Sequence, residues 1–244
     1  YAEGELWEAT ACDVMTVGSS FGERKLRGAF NYKGIFLKYG SPRNDILINN
    51  DINLVTKVRK QLGIPENAKV LLYAPTFRMR DKINNELQSI DKIDLIETLN
   101  CLELKTNSDW VCLIRSHSSI KGFSRDFTSD KIIEASNYED MRHLLLIADF
   151  FITDYSSSSG DFFLRKKPMV LFQADRDEYM NMDRNFYFDI SESPFLVANS
   201  QKELIKIINE LTDEDVKRNC EQLHEFYGVY ETGKSTKKVV DFII

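Results

Sequence analysis

Side chains suited to binding a diphosphate follow three separate apolar runs of this sequence. In chain order they are Thr76 and Arg78, then Arg115 and His117, then Asp154 with Ser156, Ser157 and Ser158. Guanidinium groups can bind phosphate oxygens in bidentate fashion, and serine and threonine hydroxyls donate single hydrogen bonds. An imidazole such as that of His117 can donate to a phosphate oxygen or titrate near neutral pH. These residue types therefore favour recognition and activation of a phosphate ester.

Each of these side chains also has an ordinary structural interpretation. A single arginine is commonly part of a surface ion pair that contributes little to stability, and His117 could be a loop histidine with local partners. Asp154 is expected to hold Arg115 or to cap a helix, because a bare carboxylate would repel a diphosphate. Asp175 lies in a charged helix start, which is more often a solvated cap than a site. Two arginines at adjacent strand ends favour the binding interpretation.

The segment from Ile152 to Pro168 is the stretch that the other elements must position. The apolar run Ala148–Thr153 is typical of a buried parallel strand, and four serines and Gly160 follow it. This pattern predicts a tight loop and a serine-capped helix whose N-terminus offers unpaired N–H groups to an anion. Gly160 is expected to let the backbone approach a neighbouring strand or a ligand closely. Capping of the helix by Ser156, without any ligand, is the competing interpretation.

Short apolar runs alternate with amphipathic segments along the chain, and this alternation predicts an α/β fold. The predicted strands are Asp13–Val17, Ile35–Tyr39, Val70–Ala74, Trp110–Arg115, Ile132–Ile133, Ala148–Thr153, Met169–Phe172 and Phe195–Val197. The predicted helices are Leu6–Ala11, Arg24–Phe30, Ile52–Leu62, Leu95–Leu104, Met141–Ile147, Glu203–Leu211, Glu214–Phe226 and Ser235–Phe242. We therefore expect a Rossmann-like parallel sheet with helices on both faces, in which ligands bind beyond the carboxyl ends of the strands.

The residues 1–48 are expected to be the end of a domain distinct from the rest. Two βα units this short cannot bury both faces of a sheet by themselves. Residues 49–244 are predicted to form one Rossmann-like domain, with the last helix able to pack back on the first part. Because the chain begins with Tyr1 rather than methionine, we expect it to be a piece of a longer protein.

Composition and missing motifs argue against several classes of protein. The net charge is −6 and no long basic stripe occurs, which disfavours a nucleic-acid-binding protein. Four scattered cysteines without CxxC spacing argue against a disulfide framework or a zinc site and fit a cytoplasmic protein. The absence of Walker, GxGxxG, HExxH and GxSxG motifs disfavours P-loop hydrolysis, NAD chemistry, zinc proteolysis and serine hydrolysis. Metal independence is expected, because no clustered carboxylates are evident.

Four motifs occur in order along the chain, and together they carry a resemblance to a known family. They are Gly40-Ser41-Pro42-Arg43-Asn44-Asp45, Leu72-Tyr73-Ala74-Pro75-Thr76-Phe77-Arg78, Arg115-Ser116-His117 and Ile152-Thr153-Asp154-Tyr155-Ser156-Ser157. Over nearly its whole length the chain resembles the CDP-glycerol glycerophosphotransferase family, the teichoic-acid primases and polymerases and their capsule-making relatives. Asp175, Tyr179 and the segment Phe186–Asp189 are similar as well.

The resemblance implies a two-domain GT-B fold in which the C-terminal Rossmann-like domain holds the donor nucleotide. It implies transfer of an alditol phosphate, with glycerol phosphate favoured, from CDP-glycerol or CDP-ribitol to a lipid-linked or polymer acceptor, releasing CMP. No cofactor and no nucleic-acid partner are expected from the residues themselves, and the lipid-linked acceptor implies peripheral contact with the cytoplasmic face of the membrane through parts outside these residues. Residue chemistry and the resemblance together give the expected site residues, which are His117 as catalytic group, Arg78, Arg115, Ser156, Ser157 and Ser158 as donor phosphate ligands, and Thr76, Asp154 and Arg43 as supporting residues.

The chain also departs from the family pattern, and the departures leave alternatives open. The histidine-glycine motif expected to supply the base has no counterpart here and should lie upstream of Tyr1. Ser118 stands where the family commonly has proline, and the usual Pro-Gly pair is missing near Ser191–Pro194. The alternatives are a nucleotide-sugar glycosyltransferase of the GT-B type and a non-catalytic nucleotide-binding or scaffolding domain. A GT-B-like epimerase is less favoured, because no paired acids are found opposite His117.

Overall fold

The computed structural model of the chain describes residues 11–78, 88–116, 129–182 and 188–244. The chain divides into two compact units. The first unit combines Tyr1–Asp51 with Glu221–Ile244, and the second unit is Ile52–Cys220. The predicted helix Leu6–Ala11 lies almost wholly outside the described residues. The assignment of residues 1–48 and 49–244 to two domains of a complete enzyme stays a prediction.

Strands and helices alternate through the described residues. The strands are β1 (Val14–Thr16), β2 (Ile35–Leu37), β3 (Lys69–Tyr73), β4 (Trp110–Ile114), β5 (Ile132–Glu134), β6 (Phe150–Thr153), β7 (Met169–Phe172) and β8 (Val197–Ala198). The helices are α1 (Ser20–Ala29), α2 (Asp45–Asn49), α3 (Ile52–Gln61), α4 (Leu95–Thr106), α5 (Met141–Ile147), α6 (Ser159–Phe162), α7 (Arg176–Met182), α8 (Gln201–Glu210), α9 (Asp213–Tyr227) and α10 (Ser235–Ile243). Short 3-10 turns occupy Pro42–Asn44, Gln88–Lys92, Phe163–Arg165 and Ile190–Glu192. None of the helices in the described ranges is both long enough and apolar enough to cross a membrane.

Six strands of the second unit form one parallel sheet in the order β5-β4-β3-β6-β7-β8. Counted within the unit, this is the doubly wound order 3-2-1-4-5-6. Strand addition therefore reverses direction between β3 and β6, which pair with Tyr73 opposite Ile152. At such a reversal the crossover helices leave on opposite faces, and a crevice opens beyond the carboxyl ends of the two strands. A ligand of this unit is expected there.

Helices cover both faces of the sheet, which explains why its central strands are apolar along their whole length. Helices α4 and α8 pack together over one face, where Leu99 and Leu204 share a buried cluster with Ile114. Helices α3 and α5 pack together, and α5 contacts β3, with Val58 and Leu144 fully buried. The predicted Rossmann-like α/β fold is confirmed.

Most predicted strands and helices are confirmed within the described residues, with three main differences. The last strand is Val197–Ala198 rather than Phe195–Val197. The short helix α2 was not predicted, because its five residues are too few to show a helical period. The helix after the serines is a single turn, since a 3-10 turn follows it and Lys166 takes a left-handed conformation with φ of 54° before Pro168. The left-handed Lys166 ends the helical segment.

In the first unit, the C-terminal segment is held by the loop that follows β2. The Glu231 carboxylate accepts hydrogen bonds from the Ser41 N–H at 3.0 Å and from Asn44 Nδ2 at 3.1 Å. Gly40 has a φ of +91°, and a Cβ at that position would lie 2.3 Å from Ser235 Oγ. Only glycine is compatible with both this conformation and this contact. The start of the first family motif therefore has a structural role here.

Asp45 of the same motif caps α10, which is far away in sequence. Its carboxylate accepts hydrogen bonds from the Ser235 N–H at 2.8 Å and from the Thr236 N–H at 2.7 Å. Although partial burial acts to raise it, these amide donors hold the pKa of the Asp45 carboxyl below its ordinary value. We expect Asp45→Ala to lower the free energy of unfolding of this unit by about 1 kcal/mol, the usual value of a capping side chain.

This loss should depend on pH. Because the folded-state pKa of Asp45 is lowered, its stabilisation is fully present above the unfolded-state pKa of about 3.9 and disappears as the pH falls through the folded-state pKa. Urea denaturation of wild type and Asp45→Ala, from about pH 7 to about pH 3, measures the difference. Asp241→Ala on the same helix removes only an exposed pair with Lys237 and should change stability by less than about 0.5 kcal/mol. A difference that stays constant across this pH range would contradict the assignment.

Candidate functional site

The carboxyl ends of β3, β6 and β7 meet where the strand order reverses, and groups from all three contact one another. Thr153 at the end of β6 donates from Oγ1 to the Ala74 carbonyl oxygen at 2.7 Å. Gln173 after β7 donates from Nε2 to the Asp154 carbonyl oxygen at 3.2 Å. These buried hydrogen bonds fix the three strand ends relative to one another at the point where the loops begin.

Arg78 and two carboxylates form a buried cluster at this edge, which we name the Arg78 triad (Arg78, Asp154 and Asp175). Arg78 Nη2 donates to Asp154 Oδ2 at 2.9 Å and to Asp175 Oδ1 at 3.2 Å, while Nε donates to Asp175 Oδ2 at 2.8 Å. Arg78 Nη1 donates to the Thr76 carbonyl oxygen. The expectation that Asp154 holds Arg115 is wrong, because β3 and not β4 lies beside β6.

Two tyrosines complete this cluster. The Tyr155 hydroxyl donates to Asp175 Oδ1 at 2.9 Å, and its ring stacks on Tyr179 with ring centroids 3.7 Å apart. The Cζ atom of Arg78 lies 4.9 Å from the Tyr155 centroid and 4.8 Å from the Tyr179 centroid. A group equally distant from two stacked rings lies beside the stack rather than over one ring face. The rings therefore mainly pack against Arg78, and the carboxylates balance its charge.

The charges of the Arg78 triad influence one another. Burial raises the pKa of the Asp154 carboxyl, and the charge of Arg78 and the Thr76 N–H act against that rise. Partial burial acts in the same direction on Asp175, but Arg78 brings the pKa of this carboxyl below its ordinary value. Burial would lower the pKa of the Arg78 guanidinium, yet the two carboxylates raise it. Burial and Asp175 also raise the pKa of the Tyr155 phenol, so this hydroxyl stays a hydrogen-bond donor.

The serine loop (Tyr155–Ser159) follows the triad directly. The Ser156 and Ser158 hydroxyls hydrogen-bond to one another at 2.8 Å, and Ser159 Oγ donates to the Ser156 carbonyl oxygen at 2.8 Å. Ser157 is exposed, and its hydroxyl has no hydrogen-bond partner among the described residues. The loop is thus folded by its own hydroxyls, while the hydroxyl of Ser157 is available to another molecule.

The structure corrects two expectations about the helix after the serine loop. Ser158, not Ser156, takes the N-cap position of α6, and it makes no side-chain capping hydrogen bond. Apart from its chain neighbours and its own helix backbone, no heavy atom of the described residues lies within 4 Å of a Cβ placed on Gly160. The expected close approach to a neighbouring strand is therefore absent, while the approach to a ligand stays a prediction. Because α6 is one turn long, an anion here would be bound by loop hydroxyls and N–H groups rather than by the dipole of a long helix.

Two buried polar atoms at this edge have no hydrogen-bond partner within the part of the chain that the structure describes. They are Thr76 Oγ1, which follows β3, and Gln173 Oε1, which follows β7. Buried polar atoms are nearly always paired in folded proteins. Thr76 and Gln173 are therefore candidates to hydrogen-bond a substrate at this edge.

The end of β4 is held by the loop that follows β5. Arg115 Nη1 donates to the Ala135 carbonyl oxygen at 3.1 Å and also to those of Ser136 and Tyr138. The hydroxyl and the N–H of Ser116 both reach Ser136 Oγ, at 2.7 and 2.8 Å. The half-buried guanidinium of Arg115 therefore ties together main-chain carbonyl groups.

Several predicted site residues cannot be assigned to the site from these contacts. His117 lies outside the described residues. Arg43 is exposed in the first unit. The predicted phosphate-binding roles of Arg78, Arg115 and the three serines stay predictions, and so do the supporting roles of Thr76 and Asp154. In the structure, Thr76 and Asp154 both accept hydrogen bonds from Arg78.

Sequence reasoning gave Asp175 and Tyr155 no role in a site, although both belong to the cluster. Asp175 follows Ala174 just beyond the carboxyl end of β7, which is Phe172. The rule that selected the ends of β3, β4 and β6 would have selected this strand end too. Asp175 was not assigned to the site because the charged residues around it are typical of a solvated helix start.

Comparison with known proteins identifies the family. Residues 2–244 match the family model described as CDP-Glycerol:Poly(glycerophosphate) glycerophosphotransferase. The chain is 30% identical over 257 residues to the teichoic acid poly(glycerol phosphate) polymerase of Bacillus subtilis (strain 168), covering 100% of this chain and 33% of that protein. It is 30% identical over 213 residues to the teichoic acid poly(ribitol-phosphate) polymerase of Bacillus spizizenii, covering 84% of this chain and 33% of that protein.

A solved structure of the wall teichoic acid polymerase TagF is also similar, with a TM-score of 0.83 and 29% sequence identity. The match covers 100% of this chain and 60% of that chain, so the present chain spans less than two thirds of TagF and about a third of the two curated relatives. The family model matches nearly every residue, and the sheet order agrees with the fold that the motifs imply. The chain belongs to the CDP-glycerol glycerophosphotransferase family.

Proposed function

We propose that the complete protein transfers glycerol phosphate from CDP-glycerol to a hydroxyl of a growing teichoic-acid-like or capsular polymer and releases CMP. The match of residues 2–244 to the family model carries this proposal. Similarity to a glycerol phosphate polymerase and to TagF supports it. The reversal of strand order between β3 and β6 supports it physically, because ligands of this fold are expected at such a reversal and the serine loop follows β6 there.

In this reaction the acceptor hydroxyl attacks the phosphorus that carries the glycerol. A new phosphorus–oxygen bond forms, and the bond from that phosphorus to the oxygen shared with CMP breaks. The hydroxyl proton passes to a base, for which we propose the family's histidine-glycine motif upstream of Tyr1. CMP leaves as an anion, so the rate depends on donors that stabilise charge on the diphosphate oxygens.

We assign the diphosphate to the serine loop. The exposed Ser157 hydroxyl is available there, and Ser156 and Ser158 can exchange their mutual hydrogen bond for hydrogen bonds to phosphate oxygens. His117 is proposed to stabilise the leaving oxygen or to protonate it. Arg115 is proposed to add positive charge at the neighbouring strand end. In this assignment residues 1–48 belong to the acceptor side.

The alditol is proposed to be glycerol, because the family description names it. The ribitol phosphate polymerase of Bacillus spizizenii makes ribitol the specific alternative. CDP-glycerol and CDP-ribitol share the cytidine and the diphosphate, so contacts to the diphosphate cannot distinguish them. The residues that contact the alditol must therefore distinguish CDP-glycerol from CDP-ribitol. We further propose a lipid-linked acceptor, reached by peripheral contact with the cytoplasmic face of the membrane through segments outside this chain.

Titration of the complete protein with CDP-glycerol tests the donor site. We expect the double variant His117→Ala with Ser157→Ala to bind CDP-glycerol at least about tenfold more weakly, because hydrogen bonds to a charged group are each worth about 1.5–3 kcal/mol. Turnover with a glycerol phosphate polymer as acceptor should fall further, because charge on the leaving group grows in the transition state. Isothermal titration calorimetry and release of CMP measure the two effects.

The matched control is His224→Ala with Ser191→Ala, which removes the same side chains from exposed positions. This control should bind CDP-glycerol with wild-type affinity. Equal affinity in the wild type and in the His117 and Ser157 double variant would end the site assignment. Turnover of a UDP-sugar in preference to both CDP-alditols would replace the proposed reaction with glycosyl transfer.

A further inference from the structure

The guanidinium of Arg78, at the carboxyl edge of the sheet, is hydrogen-bonded to oxygens of the protein itself. All three nitrogens of its guanidinium donate to protein oxygens, on Asp154, on Asp175 and on the Thr76 carbonyl. The residue is 7% exposed. A phosphate oxygen could replace Asp154 or Asp175 only by leaving a buried carboxylate without its cation. That exchange is costly, because an unpaired buried charge is strongly destabilising.

The charge balance of the triad argues in the same direction. One guanidinium faces two carboxylates, of which Asp154 is 3% exposed and the Asp175 side chain 10% exposed. With both carboxylates ionised the triad carries a net negative charge, which offers nothing to a diphosphate. The positive charge of Arg78 is therefore neutralised within the protein. Its function must then depend on the groups that bind to the two carboxylates.

Those carboxylates hold both ends of Tyr155. The Tyr155 N–H donates to Asp154 Oδ1, and the Tyr155 hydroxyl donates to Asp175 Oδ1 at 2.9 Å. Asp154 Oδ1 also accepts the Thr76 N–H at 2.8 Å, which ties the loop after β3 to the same carboxylate. Tyr155 is the residue directly before the serines. Its main chain and its side chain are thus both fixed through partners of Arg78.

We propose that Arg78 is a positioning residue that, through Asp154 and Asp175, clamps Tyr155 and so sets the place of the serine loop. This inference rests on the proposed function for its catalytic consequence, since that function puts the donor diphosphate on the serine loop. A displacement of about 1 Å in a group that positions a substrate can cost about a hundredfold in rate. The clamp joins the loops after β3, β6 and β7, the three strand ends that meet where the sheet order reverses.

Tyr155→Phe in the complete protein is the most selective test, because it removes one hydroxyl and keeps the ring that stacks on Tyr179. Hydrogen exchange of the amides of residues 156–160 should accelerate about tenfold, the factor expected from loss of a hydrogen bond to a charged group. The kcat for turnover of CDP-glycerol should fall at least about tenfold, while the dissociation constant for CMP changes by less than about threefold. Arg176→Gln, which removes a surface pair beside Asp175, should leave the exchange rates, kcat and the dissociation constant for CMP unchanged.

A second variant separates positioning from direct binding. Arg78→Lys keeps the positive charge but cannot bond both carboxylates in the geometry of a guanidinium. If Arg78 acts through Tyr155, the combination of Arg78→Lys with Tyr155→Phe should slow turnover little more than Arg78→Lys alone. Independent, multiplicative losses would overturn the inference, and so would unchanged exchange of residues 156–160 in Tyr155→Phe.

The two readouts keep this inference distinct from the proposed function. Hydrogen exchange in the serine loop requires no substrate, so it tests the clamp whatever the donor is. A wild-type protein that turns over no CDP-alditol, with faster loop exchange in Tyr155→Phe, would refute the proposed function and retain the clamp. An active wild type with unchanged exchange and turnover in Tyr155→Phe would refute the clamp alone.

Discussion

Asp154→Ala is expected to lower the free energy of unfolding of the second unit by about 3–5 kcal/mol, the usual cost of removing one partner of a buried ion pair. The cost arises because Arg78 keeps its charge in a buried place with only Asp175 to balance it. The N–H groups of Thr76 and Tyr155 lose their acceptor at the same time. Urea denaturation, followed by far-UV circular dichroism, measures the change.

A double-mutant cycle is the control for this prediction. Arg78→Met removes the cation. When Asp154→Ala is made in that background, no buried guanidinium remains to lose a carboxylate partner. The second substitution should then cost clearly less than it does in the wild type, with a coupling energy of about 1–3 kcal/mol between the two positions. If the two losses simply add, Asp154 serves only as an acceptor for amides, and the triad is not an energetic unit.

The sequence alone predicted the sheet well, and also which polar groups lie at its carboxyl edge. The runs that became β3, β4, β6 and β7 are continuous and apolar, because strands covered on both faces need apolar residues at every position. The polar groups after these runs, at Thr76, Asp154 and Ser156 among others, lie at the expected edge because parallel strands present all their carboxyl ends on one side. Local patterns were sufficient for both conclusions.

The pairing of charges at that edge could not be predicted, because it depends on strand order. Arg115 precedes Asp154 more closely in sequence than Arg78 does, and both arginines follow a strand. In the sheet, however, β3 separates β4 from β6, so Arg78 is the neighbour of Asp154. No local pattern in the sequence contains this information, since it is set by how distant segments pack.

The role of the first motif was hidden for a related reason. Asp45 and Gly40 lie in a polar turn that predicts only a local cap. Asp45 accepts a hydrogen bond from Ser235, and Gly40 lies against Ser235 and Glu231, which come about 190 residues later. A capping side chain that serves a helix so far along the chain cannot be recognised from spacing. The resemblance to a family indicated that the motif matters, and the structure supplies a reason for it.

Phe162→Ala is expected to destabilise the second unit by about 3–5 kcal/mol, as is usual when a large buried aromatic side chain is removed. Phe162 is fully buried, and its ring centroid lies 4.9 Å from that of Phe151 on β6. A single helical turn has almost no stability of its own, so α6 must be held by packing. For a unit of this size, the midpoint of thermal unfolding should fall by roughly 10 °C.

The same substitution should also disturb the serine loop, because the loop is anchored at one end by the Arg78 triad and at the other by Phe162. Hydrogen exchange of residues 156–160 should therefore accelerate in Phe162→Ala, and Phe162→Leu should show a smaller change in both stability and exchange because it leaves a smaller cavity. Leu104→Ala is the matched control for removal of an apolar side chain, since Leu104 is 87% exposed, and it should shift stability by less than about 0.5 kcal/mol. Loss of stability in Phe162→Ala without faster exchange in the loop would mean that the triad alone fixes the serines, and that α6 contributes only to the core.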